Sequence, residues 1–135
     1  MTRCPLVYVY DRSTGLSSRR LLEQRLIGCR TTADRYGWEI TGIWTDHGTD
    51  AMSHLPRERP AFLNLVHRMT ADASAVRRQR MCLVHDWDRL TTARTMRMAF
   101  QRQVADAGGC VATTFGESDA RWEARIPTSQ PAPPG

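Results

Sequence analysis

Short apolar runs alternate along the chain with longer stretches of helical period. Leu6-Val7-Tyr8-Val9-Tyr10 is an unbroken apolar run, β-branched or aromatic for the most part, and predicts a strand buried on both faces. The polar Asp11-Arg12-Ser13-Thr14-Gly15 predicts a turn at its carboxyl end. Leu16, Leu21, Leu22, Leu26 and Ile27 then recur at helical spacing. They predict a helix from about Leu16 to Tyr36, stopped by Gly37, with Arg19, Arg20, Arg25, Arg30 and Arg35 mainly on its wet side. Trp38-Glu39-Ile40-Thr41-Gly42-Ile43-Trp44-Thr45 alternates large apolar with small or polar residues, as a half-buried outer strand does.

Asp46 through Arg57 is a polar segment long enough to act as a mobile flap. Pro60 suits the first turn of a helix, and Phe62, Leu63, Leu65, Val66 and Met69 give that helix a buried stripe through about Ala73. After the basic Arg77-Arg78-Gln79-Arg80, Met81-Cys82-Leu83-Val84-His85 predicts a second strand buried on both faces, ending at Asp86-Trp87-Asp88-Arg89-Leu90. Thr91 or Thr92 is placed to cap the next helix, whose Met96, Met98, Ala99, Phe100, Val104 and Ala105 are expected against the sheet before Gly108-Gly109 ends it. Cys110 to Phe115 predicts a last short strand. Beyond Gly116 the pattern dissolves, leaving Trp122 and Ile126 as residues that could dock.

Strands alternating with helices predict an α/β fold of three layers, αβα, with a mostly parallel sheet of about four or five strands and right-handed crossovers. One domain over residues 1–120 and a Pro-rich, disordered tail over 121–135 account for the chain's 135 residues. In such sheets ligands bind outside the carboxyl ends of the strands. Ser13, the segment before Arg59 and the Asp86–Arg89 turn would share that rim. Ser13 has a second reading there, as a cap for the helix that follows.

Composition adds a charge argument. Nineteen basic and 14 acidic residues give a net charge of +5 and a pI near 9.6, and every basic side chain is arginine. This balance suits a polyanionic partner such as nucleic acid, and guanidinium is the group best built to fork onto phosphate oxygens. Cys4, Cys29, Cys82 and Cys110 lie far apart without the close pairs of zinc sites, so buried, reduced thiols are expected. His47, His54, His67 and His85 show no metal spacing, and neither metal nor cofactor is expected. No apolar run approaches a membrane span and no signal-peptide core precedes the first strand, which predicts a cytoplasmic protein with no membrane partner.

Several blocks then fall in a meaningful order. Ser13-Thr14 follows the first strand; Gln24-Arg25 and Tyr36-Gly37-Trp38-Glu39-Ile40 come next, followed by Trp44-Thr45-Asp46-His47-Gly48, Arg59-Pro60-Ala61-Phe62-Leu63 and Asp88-Arg89-Leu90. Over about Leu6 to Phe115 this series resembles the catalytic domain of the serine site-specific recombinases, the resolvases and invertases. The resemblance implies a resolvase-like fold and DNA strand cleavage and rejoining, in site-specific recombination and integration, through a 5′-phosphoserine intermediate without metal or ATP. It makes Ser13 the nucleophile, Arg59 the arginine that opens the second helix, and Asp88 and Arg89 the acid and base of the DRL block. DNA is the implied partner, with a homo-oligomer, or a separate subunit, supplying the dimerisation and DNA-binding regions that follow the family's catalytic domain.

Two positions depart from the family pattern. Asp11 stands where the family has the arginine before its nucleophile, and Thr92 stands where it has the last arginine of DRLxR. Arg12 and Arg94 are the nearest substitutes. Arg12 is one residue out of step, which on a strand means the opposite face; Arg94 is two out of step on a helix. Three readings therefore stay open: a cleaving recombinase, an inactive resolvase-like domain that binds DNA or protein, and a flavodoxin-like binder using Ser13-Thr14-Gly15-Leu16-Ser17 as a phosphate loop. A phosphoreceiver reading would use Asp11 with Asp86 or Asp88 to hold a metal, but that family's lysine has no counterpart here.

Overall fold

The computed structural model describes residues 4–15, 18–75 and 77–120. Four strands and three helices alternate along the chain: β1 (Leu6–Ser13), α1 (Ser18–Tyr36), β2 (Glu39–His47), α2 (Pro60–Ala75), β3 (Arg80–Val84), α3 (Arg94–Asp106) and β4 (Cys110–Thr113). The strands form one parallel sheet in the order β2-β1-β3-β4. This is the expected α/β sandwich, with β2 on the outside as its half-buried alternation requires.

Alternation along β1 divides the core in two. Leu6, Tyr8 and Tyr10 pack with Phe62, Leu65, Val66 and Met69 of α2 and Phe100 and Val104 of α3. Val7 and Val9 pack on the other side with Cys29 of α1, together with Met81, Leu83 and Cys110. One helix therefore covers one face and two cover the other. The chain leaves β1 toward β2 under α1, then crosses back over β1 to β3 under α2. Reversing direction while keeping one hand of crossover forces these helices onto opposite faces. The crevice between the carboxyl ends of β1 and β3 is the switch point where α/β folds hold ligands.

Several expectations need correction. The first strand does not stop at Tyr10 but runs on through buried Asp11, Arg12 and Ser13, so Ser13 ends a strand and lies well before α1 instead of capping it. Neither threonine caps α3. The helix starts at Arg94 behind Ala93, and the Thr91 hydroxyl accepts a hydrogen bond from the Ala93 N–H at 3.0 Å. Met98 and Ala105 face solvent, because the inward stripe of α3 runs through Phe100, Val104 and the following Ala107.

The polar segment after β2 is no loose flap. It winds into short 3-10 turns at Gly48–Ala51 and Pro56–Glu58, buries Ala51, and is tied down by Arg12, Arg59 and Thr91. Residues past Gly116 do not dissolve either. Ser118 bridges Ala112 antiparallel, and the Asp119 carboxylate accepts hydrogen bonds from the Val111 N–H and the Gln101 amide. Trp122, Ile126 and the Pro-rich segment lie outside the described residues.

Gly37 and Gly108 show why glycine ends α1 and α3. Both adopt positive φ, 69° and 88°, and each is followed by an N–H that reaches back five residues, Trp38 to Ala33 and Gly109 to Val104. This closure satisfies the last helical carbonyls and demands a left-handed residue.

Candidate active site

The carboxyl rim of β1 and β3 gathers four arginines, and β1 distributes them. Tyr10 and Arg12 share the face of α2 and α3. Asp11 lies on the face of α1, where Arg25 holds it, and Ser13 ends the strand two residues on.

On the α1 face, the Asp11 carboxylate is almost wholly buried. One oxygen accepts from Arg25 Nε at 2.8 Å; the other accepts the Arg12 backbone N–H at 2.6 Å and Arg89 Nη1 at 3.5 Å. Arg25 and Arg89 also donate to the Arg12 carbonyl, at 3.1 and 3.3 Å. That carbonyl belongs to the peptide bond leading into Ser13, so both guanidiniums come to rest beside the last residue of the strand. Arg25 is not on the wet side of α1 as expected. It falls between Leu22 and Cys29 on the inward stripe, and that spacing was visible in the sequence.

On the opposite face Arg12 donates from Nε to the Asp88 carbonyl and from Nη1 to the Ala51 carbonyl, both at 3.0 Å. Arg59 is completely buried. It donates to the Ser53 carbonyl at 2.9 Å, the Tyr10 hydroxyl at 3.3 Å and the Arg89 carbonyl at 3.4 Å, and lies over the Phe100 ring at 4.6 Å. Its Nη2 has no hydrogen-bond partner among the described residues. Burial first, then the charges of Arg59 and Arg89, pull the Arg12 guanidinium down to about 10, which still leaves it charged at neutral pH.

Carboxylates offset only part of this charge. Asp11 pairs with Arg25 and Arg89; Asp86 pairs with Arg89 at 3.3 Å and with His85 at 3.0 Å. Burial works to raise the Asp86 carboxyl, but the His85 hydrogen bond and the Arg89 charge outweigh it and hold it below the usual carboxylate range. Among the described residues, neither Arg12 nor Arg59 has a carboxylate within ion-pair distance. Two adjacent, buried, unpaired guanidiniums are costly unless an anion joins them.

Asp46 links blocks that are far apart in sequence. Its carboxylate accepts the Tyr10 hydroxyl at 2.8 Å and the Ala61 and Phe62 N–H groups at 2.8 and 3.1 Å, so the Trp44–Gly48 block caps the helix that Arg59-Pro60 opens. Burial pushes the Tyr10 phenol well above its ordinary value, keeping its proton available for Asp46.

The remaining candidates take different places. Asp88 is exposed, and its contact with the cluster is the carbonyl that Arg12 holds. Arg94 is exposed at the start of α3, and Thr92 is exposed ahead of it. Trp87 lies beneath Arg97, 4.7 Å from guanidinium to ring. Among the described residues no three His, Cys, Asp or Glu side chains converge on a metal site, and Asp11 is engaged by arginines instead. No helix among them is long and apolar enough to cross a membrane.

No family model matches this chain, and no curated protein matches it in sequence. Solved structures do match its fold. A resolvase family site-specific recombinase from Streptococcus pneumoniae is similar with a TM-score of 0.68 and 18% identity, over 92% of this chain and 82% of that one. The N-terminal catalytic domain of TP901-1 integrase is similar with a TM-score of 0.65 and 20% identity, over 92% and 89%. The C-terminal catalytic domain of ISC1926 TnpA, an IS607-like serine recombinase, is similar with a TM-score of 0.64 and 20% identity, over 82% and 71%. The fold is that of a serine recombinase catalytic domain, as the order of the sequence blocks implied.

Proposed function

We propose that this chain acts on DNA phosphodiesters as a serine-recombinase-type domain, with Ser13 as nucleophile and Arg12, Arg59 and Arg89 as the cations that receive the phosphate. The observation that carries the proposal is the pair of buried guanidiniums, Arg12 and Arg59, without a carboxylate partner among the described residues, at the end of the strand that Ser13 terminates. In this reading Arg12 replaces the family arginine that Asp11 displaced. Its change of face brings it alongside Arg59.

The chemistry balances simply. The Ser13 oxygen forms a bond to phosphorus as the bond from phosphorus to the 3′ oxygen breaks; the hydroxyl proton leaves serine and the 3′ oxygen gains one. Negative charge spread over the equatorial oxygens is met by fixed guanidiniums, each worth about 3 kcal/mol, or roughly a hundredfold in rate. The seryl ester conserves the phosphodiester, so rejoining needs no further energy source.

A second reading, binding without cleavage, is favoured by one observation: Asp11 already holds Arg25 and Arg89. A DNA substrate that traps the cleaved intermediate separates the two. Cleavage yields a covalent adduct on Ser13 that Ser13→Ala abolishes; salt-sensitive binding with no adduct overturns the enzymatic reading.

A further inference from the structure

The seat formed by Arg25, Arg89 and the Arg12 N–H already holds an anion, the carboxylate of Asp11. We infer that Asp11 is a built-in occupant of an oxyanion site, and that a phosphate group enters only when this side chain is displaced or neutralised. The inference rests on the phosphate-binding reading above and adds to it a restraint supplied by the chain itself.

Three donors from three elements meet at one buried carboxylate. Arg25 comes from α1 at 2.8 Å, Arg89 from the turn after β3 at 3.5 Å, and the Arg12 N–H from β1 at 2.6 Å. Guanidiniums flanking a backbone N–H make a set of donors equally suited to the oxygens of a tetrahedral anion. The contacts are unequal, and Arg89 is the loosely held partner: its Nη1 lies 3.5 Å from Asp11 and also donates to the Arg12 carbonyl, while its Nε donates to Asp86. Arg89 is therefore the donor that a phosphate takes from Asp11 at least cost, and Arg25 the one that gives way last as the carboxylate is displaced. A phosphate that takes Arg89 as a donor takes a partner from Asp11 and meets that carboxylate's charge, and two like charges about 4 Å apart at a protein surface repel by about as much as one such ion pair attracts.

Removing that charge while keeping the side chain's shape tests the idea. Asp11→Asn protein, titrated calorimetrically with inorganic phosphate, is expected to bind about tenfold more tightly than wild type. The double variant Asp11→Asn with Arg89→Ala is expected to lose that gain. Equal phosphate affinity in wild type and folded Asp11→Asn overturns the inference, as does a gain that survives loss of Arg89.

If Asp11→Asn does not fold, wild-type protein decides the matter through the Nε–H resonances of Arg25 and Arg89 during a phosphate titration. Movement of both only at millimolar phosphate upholds a displaced carboxylate; movement at micromolar phosphate overturns it. The outcomes also separate from those of the functional reading. An Asp11→Asn protein that binds phosphate tightly but forms no Ser13 adduct keeps the occupied seat and removes the recombinase. A wild-type adduct with unchanged phosphate affinity in the variant does the reverse.

Discussion

Arg89 donates to the carbonyl of Arg12 across 3.3 Å, so the turn after β3 rests on the peptide bond that leads into Ser13. Arg59 in turn donates to the carbonyl of Arg89 at 3.4 Å. Blocks from the start, middle and later part of the chain are thereby joined through backbone acceptors. Those contacts hold guanidiniums together without neutralising them.

Arg59→Met tests whether this positive charge serves function at the expense of stability. Methionine fills the stem's volume against Phe100 and removes a buried cation that no described carboxylate pairs with, so the free energy of unfolding is expected to change by no more than about 1 kcal/mol. DNA affinity is expected to fall about tenfold, and the slope of log affinity against log salt to drop by about one. Anisotropy titrations at several salt concentrations check it; an unchanged slope contradicts a phosphate contact.

Asp46→Ala is expected to be among the most destabilising substitutions in the chain. It strips the cap from α2 and leaves the buried Tyr10 hydroxyl without its acceptor, at a cost of about 3 kcal/mol. Urea denaturation measures this, and a cost below about 1 kcal/mol contradicts the linking role of Asp46.

Gly109→Ala probes the approach of α3 to β3. A Cβ there would meet the Arg80 carbonyl oxygen at 2.8 Å as well as the Met69 terminal methyl, and backbone cannot step aside as a side chain can. A loss of about 1–3 kcal/mol is expected by thermal or chemical denaturation.

Alkaline pH should unfold the protein. Burial pushes the Cys29 thiol up to about 12 and raises Cys82, Tyr8 and Tyr10 above their ordinary values as well. The folded state thus holds protons that the unfolded state releases, so stability is complete below about pH 8.5 and falls as pH rises toward 12, by up to about 1.4 kcal/mol per pH unit for each group titrating. In neutral solution a thiol reagent is expected to label exposed Cys4 rapidly, and buried Cys29, Cys82 and Cys110 only on unfolding.

Much of this fold was legible in the residue pattern. Doubly apolar runs at Leu6 and Met81, the alternation from Trp38 to Thr45 and the glycines at 37 and 108 marked the strands and helix ends, because period and left-handed closure are local properties. Arg25 was misplaced although its spacing put it on the inward stripe: a charged residue there is unexpected until its partner is known. Asp11, read as part of a turn, is that partner, paired across the face between β1 and α1.

The chain's own order of residues determined the strands, the helices and the blocks that mark this fold, since each depends on neighbours a few positions away. Which guanidiniums share a face, and which of them meet a carboxylate, only the packed sheet decided. Strand order brings Arg12, Arg59 and Arg89 together from distant segments, and the alternation of a single strand turns the Arg12 and Asp11 side chains to opposite faces.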